Sequence, residues 1–420
     1  MLNKIDEEKY NFALFCLSFV AIYLIHIQNL YIFFGHNSLA AHFVDWEFVK
    51  GFAKCAIENK NRFFDNSCDI LSRDPVYPPS WLYTPQIIYF IKNEFIFFIS
   101  ILFLLVSIFK FVKIDNLNKF LLLFLIIISP YFLYAYQRLN VDLIILPVVF
   151  FISFNLEKKG LLKKTLKYFG IVFISILKIY PGILYLFFLR EKKFYQLFFY
   201  ILTAVLILLF LFKHHSEILV MLGNKEMAGL PGYGSFSGNN FFYFLSNLFG
   251  MNVSPFSTIF LFFNLIIVVT TLIFIRENKI SKLNLDTNKI NFFISGFLIL
   301  IFCFVVGYNI IYRLIFILLL IPLLIDNEFV KLKKNKILSF MFIVCFFLKA
   351  HTITLLLNLF ILDHLNIFKL DIALSTPQEP LPYYDLWDGF LQWIMMIILL
   401  VLFKTNGFHK HLISRINAIK

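Results

Sequence analysis

The chain has 420 residues, of which 60% are hydrophobic, 20% aromatic and only 15% charged, and its mean hydropathy is +0.82. No soluble domain hides that much apolar surface, so the composition excludes a water-soluble enzyme and implies an integral membrane protein with several spans. The net charge of +13 does not point to nucleic acid, because the basic residues fall in short runs between apolar segments rather than on a basic soluble face.

The first apolar run, 11–34, is too long for a signal-peptide core and reads as an uncleaved first helix. Further spans are expected at 95–112, 119–135, 141–155, 194–212, 256–275, 291–308, 311–325, 337–362 and 388–404. That makes ten in a single all-α membrane domain covering 1–420, with no repeat of fixed period. A hydrophilic loop, 35–85, separates the first two spans. Within it, "FVDWEFVKGFAKCAIENK" sets Phe43, Val44, Val49, Phe52, Ala53 and Ile57 at roughly helical spacing, the mark of an amphipathic helix at the outer membrane surface. Asp45 and Glu47 fall in its first turn, where a lone acid ordinarily stabilises the helix N-terminus. The prolines of the following "RDPVYPPSWLYTPQ" forbid helix and favour an extended run, with Tyr77 and Trp81 suited to headgroup level. Cys55 and Cys68 share this loop. They could pair if it is extracytoplasmic, but two free thiols are the preferred reading.

The stretch "GIVFISILKIYPGILYLFFL", Gly170–Leu189, poses a puzzle. It is apolar and long enough to cross a bilayer, yet "EKKGLLKKTLK" precedes it and "REKK" follows it. With the N-terminus inside, the presumed cytoplasmic segments collect about two-thirds of all lysines and arginines, but only if 166–189 enters and leaves on that side. Lys178-Ile179-Tyr180-Pro181-Gly182 is then the tip of a re-entrant hairpin, since proline removes a donor and glycine permits the turn. About thirteen helical residues from Thr165 rise about 20 Å, which puts the tip deep in the membrane. A lysine at that depth is a candidate functional residue.

The later outer segments are polar. The loop 213–252 carries "GLPGYGSFSGNNFFYFL", in which the Asn239-Asn240 pair opens an aromatic helix. "GYNIIYRLIF" places Asn309, Tyr312 and Arg313 at a span boundary, where Arg313 serves either as a headgroup snorkeller or as a ligand. A last loop, 363–387, and two short outer pieces remain: "YQRLNVD" at 136–142, with Asp142 an alternative acid, and the residues beside Lys349-His351. An anionic phosphate is a natural partner for Lys178 and Arg313. His214-His215 lack ligand spacing with carboxylates, so neither a metal nor another cofactor is expected.

Together these pieces resemble the GT-C superfamily of membrane glycosyltransferases, and within it glycosyltransferase family 87 and its polyprenyl-phosphate-mannose-dependent relatives. Asp45 opens a loop helix after the first span, where the family keeps its catalytic aspartate. "YPPSWLYTP" is similar to the proline-rich segment before the second span, and "LKIYP" at 177–181 to an in-membrane lysine-x-x-proline element. "GNNFFYFL" resembles the asparagine-containing start of a later helix, and "YNIIYRLIFILLLIPLL" an aromatic span of the C-terminal half. The asparagine motif lacks its usual Gln-Ser, and the first loop has a single Asp45 in place of a paired DxD.

The resemblance implies a GT-C-like helical fold and inverting transfer of a mannose-like hexose. The sugar passes from a polyprenyl phosphate to a glycolipid or glycan acceptor at the outer face of a membrane, expected to be the bacterial inner membrane, with both termini cytoplasmic. Asp45 would be the general base, and Lys178 and Arg313 would bind the donor phosphate. Glu47, Tyr77, Trp81, Tyr180, Asn239, Asn240, Asn309 and Tyr312 would contact substrate. A lipid-linked sugar flippase is the competing reading, and an O-antigen-type polymerase a third, although the late loop holds Lys369 and no arginine. Membrane lipids are the remaining partner, and nucleic acid is not expected.

Overall fold

The computed structural model describes residues 2–27, 42–156 apart from 66, 71, 73 and 76, then 161–190, 193–223, 235–251, 258–275, 285–306, 309–349 and 382–413. The described chain is helical as expected. It opens with α1 (Leu2–Ile27), α2 (Val44–Ile57), a 3-10 turn (Pro79–Tyr83), α3 (Ile87–Phe90) and α4 (Asn93–Phe111). Next come α5 (Leu117–Ile127), α6 (Pro130–Arg138), α7 (Asp142–Phe154), α8 (Leu161–Leu177) and a long 3-10 helix (Tyr180–Arg190). After them run α9 (Lys193–Lys213), α10 (His215–Gly223), β1 (Ser235–Phe236), α11 (Asn239–Leu248), α12 (Thr258–Phe274) and α13 (Thr287–Val306). The last part holds β2 (Asn309–Ile310), a second long 3-10 helix (Ile311–Leu319), α14 (Ile321–Leu324), α15 (Asn327–Val330), α16 (Lys333–Phe347), α17 (Pro382–Thr405) and a final turn (Phe408–Ile413).

Among the described residues, four helices are long and apolar enough to cross a membrane: Glu8–Ile27 within α1, α4, α13, and Leu386–Thr405 within α17. The number reaches six if the bent pairs α5–α6 and α9–α10 each count as one span. Ten were expected, and the other expected runs differ from long unbroken helices for local reasons. The run 119–135 is broken at Ser129-Pro130 with a 44° bend, because proline cannot donate into the preceding turn but suits the first position of a new helix. The run 311–325 forms a 3-10 helix and a short α14 instead of one α-helix. The helices α7, α8 and α12 are apolar but shorter than the ~20 residues of a typical span. Of the expected spans, 28–34 and 350–362 lie outside the described residues, as does most of the last loop.

The enclosed centre is α13, against which α7 and both long 3-10 helices pack. At Gly296 an added Cβ would sit 2.9 Å from the Leu319 Cβ, so only glycine admits the 3-10 backbone this close. On one flank α4 packs on α7 and α1, and on the other α17 packs on α11, α12 and α16. The antiparallel pair Ser235↔Ile310 and Phe236↔Asn309 ties the segment before α11 to the start of the second 3-10 helix.

The amphipathic helix forms at 44–57, but its expected exposure to the membrane surface is corrected. Val44, Asp45, Phe48, Val49, Phe52 and Cys55 are all buried, because the loop that follows folds over them. Cys55 and Cys68 are joined by a disulfide, against the preference for free thiols. Inside the loop it closes, Arg62 pairs with Asp69 at 3.3 Å, both wholly buried, and the Arg62 guanidinium lies 5.0 Å above the Phe48 ring. Helical spacing identified the apolar face of α2; the covering segment is supplied by tertiary structure.

Candidate functional site

Asp45 is positioned by an unusual helix start. Phe43 adopts a positive φ of 62°, a region costly for a non-glycine residue, and its N–H donates to the Gln137 carbonyl at 2.7 Å. This contact aims the first turn of α2 at the α6–α7 junction. At that junction Arg138 ends α6, Leu139 takes φ 48°, and the Asn140 N–H returns to the Ala135 carbonyl at 3.0 Å. The Asn140 side-chain oxygen accepts from the Asp142 N–H at 3.0 Å, which starts α7.

Three polar side chains therefore leave one tight junction. Arg138 donates to Oδ1 of Asp45 from Nη2 at 2.6 Å and from Nε at 3.1 Å, and Asn140 donates to Asp45 Oδ2 through Nδ2. The same Asn140 accepts from Lys178 Nζ at 2.9 Å. Lys178 Nζ also donates to Asp142 Oδ1 at 2.8 Å, as does the Tyr180 hydroxyl at 2.6 Å. Arg313 pairs with Asp142 Oδ2, and its guanidinium lies 4.3 Å over the Tyr180 ring. One connected chain thus runs Arg138–Asp45–Asn140–Lys178–Asp142–Arg313.

Lys178 sits where the backbone leaves α8. The carbonyls freed at that helix end need donors. Ser80 Oγ supplies one to Ile176 at 2.6 Å, and Trp81 Nε1 one to Leu177 at 2.9 Å. The chain then reverses through a Gly182 N–H to Ile179 carbonyl bond of 3.0 Å. A Cβ on Gly182 would lie 3.5 Å from Ser175 Oγ, whereas seven residues along a continuous helix would separate them by about 10 Å. The 3-10 helix Tyr180–Arg190 therefore runs back alongside α8. Below Lys178 the Tyr77 ring lies 5.3 Å from Nζ, a cation–π distance.

The two carboxylates have different surroundings. Asp142 is wholly buried and takes donors from Lys178, Tyr180 and Arg313, so it acts as a hub that orients cations. Burial pushes the Asp45 carboxyl up, but the Arg138 guanidinium and the Asn140 hydrogen bond more than offset it and hold the group below the ordinary carboxylate value. Asp45 is thus kept as an anion.

Asp45, Lys178, Arg313, Tyr180 and Tyr77 are brought together. Glu47 is not: two residues on, it lies on the opposite side of α2 and bonds Asn93 at 2.5 Å and Lys50 at 3.4 Å. Trp81 is used as the α8 end cap rather than offered as a stacking face. Asn239 and Asn240 belong to another cluster. There Asn264 donates to Asn239 Oδ1 at 2.6 Å and Ser237 N–H donates to Gln392 at 2.9 Å. Gln392 bonds Asp388 at 2.7 Å, and Asp388 pairs with Lys349 at 3.2 Å, both side chains sealed at 0–1% exposure. The side chains of Asn309 and Tyr312 lie outside the described residues. Sequence reasoning missed Arg138 and Asn140 and held Asp142 only as an alternative. The available signal was Arg, Asn and Asp at alternate positions in "QRLNVD", between two apolar runs. Among the described residues no group of three or more His, Cys, Asp or Glu could hold a metal. No protein-family model, curated protein or solved structure matches the chain.

Proposed function

We propose that this chain is an inverting membrane hexosyltransferase of the GT-C kind, moving a mannose-like hexose from a polyprenyl phosphate to a glycolipid or glycan acceptor. One observation carries the reading: Asp45, Lys178 and Arg313, far apart in sequence, meet in one hydrogen-bonded cluster. A transfer of this class needs a base for the acceptor hydroxyl and cations for a leaving phosphate, held a short distance apart. Asp45 takes the hydroxyl proton as the acceptor oxygen attacks C1. The C1–O bond to phosphate breaks, and Lys178 and Arg313 stabilise the charge the phosphate gains.

The Cys55–Cys68 disulfide supports an oxidising side for the loop that carries Asp45, since such bonds persist outside the cytosol. With that end of the bundle outward, the backbone reversal at Ile179–Gly182 serves as the tip of a re-entrant hairpin. The short helices complete ten crossings, and both termini are cytoplasmic, in an inner membrane. The protected tip satisfies the need to cover broken backbone at depth.

The test uses right-side-out and inverted vesicles supplied with labelled polyprenyl-phosphate mannose. Wild type is expected to move label into lipid or polymer from the outer face, and Asp45→Asn to lose this activity. Label that changes leaflet without a new covalent product overturns the reading in favour of a flippase.

A further inference from the structure

We propose that Arg138 changes partner during turnover, covering Asp45 in the resting site and moving to the donor phosphate when the lipid arrives. The proposal rests on the transferase reading above. It starts from geometry. Two guanidinium nitrogens of Arg138 converge on a single oxygen of Asp45, and Asn140 holds the other. An acceptor hydroxyl therefore finds the carboxylate already engaged. Of the pair, Arg138 is the more exposed, its side chain 20% open against 7% for Asp45, so the guanidinium is what an incoming group meets first. The deeper cations are anchored on the hub: Lys178 and Arg313 are 4% and 12% open and share Asp142. The third nitrogen of Arg138 reaches Tyr134 Oη at 3.3 Å, on its own helix.

Guanidinium matches phosphate oxygens as well as it matches a carboxylate, in the same forked geometry. A phosphate entering beside Lys178 and Arg313 competes with Asp45 for Arg138. The exchange strips two donors from Oδ1 and leaves Asp45 a stronger base once the donor is seated. In the transfer that follows, the acceptor O–H proton goes to Asp45, the acceptor oxygen bonds C1, and the lipid phosphate departs with the C1–O electron pair against Arg138. An acceptor arriving first meets a covered base, so the exchange orders the reaction donor before acceptor.

The experiment titrates polyprenyl phosphate, without sugar, into full-length protein in nanodiscs and reads its Kd. Asp45→Asn is expected to tighten binding about tenfold, because the competing carboxylate is gone, and Arg138→Gln to weaken it by a similar factor. The deciding variant is Arg138→Gln with Asp45→Asn, which replaces both charges by near-isosteres and keeps the local net charge. If Arg138 moves to phosphate, the double variant binds about tenfold more weakly than wild type; Arg138→Lys falls between. A double variant that binds as tightly as wild type overturns the exchange, with Arg138 then a fixed partner of Asp45, and leaves the transferase reading standing. Wild type that fails to bind polyprenyl phosphate overturns both.

Discussion

The Asp45 cluster and the Lys349 cluster are both buried, and they are built differently. In the Asp45 cluster two carboxylates meet three cations drawn from α2, the α6–α7 junction, the end of α8 and the second long 3-10 helix. Exposure there grades from the sealed Asp142 to the partly open Arg138. In the Lys349 cluster, among the described residues, an ammonium meets a carboxylate among neutral amides and a serine, and both charges are sealed. A graded cluster with several cations offers an incoming anion a place among its contacts. A sealed ion pair helps to hold the end of α16, α17 and the β1–α11 segment together.

The largest expected effect is at the hub. Asp142→Ala leaves Lys178 and Arg313 buried without their shared carboxylate, which costs about 3–5 kcal/mol. Unfolding in detergent by denaturant is expected to show that loss, and the proposed sugar transfer to vanish. The Lys349 cluster sharpens the contrast. Lys349→Met alone leaves the buried Asp388 carboxylate without this cation and is expected to cost a comparable amount. Lys349→Met with Asp388→Leu removes both charges and is expected to return most of the stability, since a buried pair and its apolar substitute are often close in free energy. The matching double change at Lys178 and Asp142 is not expected to recover, because Arg313 remains. Recovery there would erase the distinction between the clusters.

The disulfide marks a further difference. It closes α2 to the loop that covers it, with a sequence separation of 13 residues, and the Lys349 cluster has no covalent link among its members. Cys55→Ser with Cys68→Ser is expected to lower stability by about 3 kcal/mol on loop-closure grounds. The placement of Asp45 on α2, and with it the proposed transfer, is expected to suffer more than the packing of α16 on α17. Hydrogen exchange checks this: protection should fall in α2 and stay in α17.

Charge against an apolar background is what made Lys178 legible in the sequence, whereas Asp45, one acid of a hydrophilic loop, was singled out by the resemblance alone. A membrane interior admits few ions, so each one is informative before any contact is known. What stayed hidden depends on backbone geometry that periodicity does not carry. The α6–α7 junction gathers Arg138, Asn140 and Asp142 only because Leu139 takes a positive φ and folds two short helices tightly together. Glu47 and Trp81 have the right chemistry for a sugar, yet Asn93 and the Leu177 carbonyl claim them. Composition names what a side chain can bind, not which partner reaches it first. Hydropathy registers apolar runs but not the Pro130 break or the 3-10 winding of 311–319.

The smallest effect separates the clusters by acid. Asp45 lies on α2 in the loop between the first two spans, and its folded carboxyl is held below its ordinary value of 3.8 by Arg138 and Asn140 against the opposing push of burial. Its unfolded form binds a proton more readily than its folded form. Its contribution to stability is therefore complete above the unfolded value and is lost as pH falls through the lower, folded one. Comparing wild type with Asp45→Asn, the stability gap is expected to be flat above about pH 5 and to close below about pH 4. Arg138→Gln removes the main stabilising charge, so Asp45 protonates at higher pH and the closing of the gap moves upward. Denaturation midpoints of the three proteins across that range measure it. A gap with the same pH dependence in Arg138→Gln would mean that Asn140, rather than the guanidinium, keeps this carboxylate ionised.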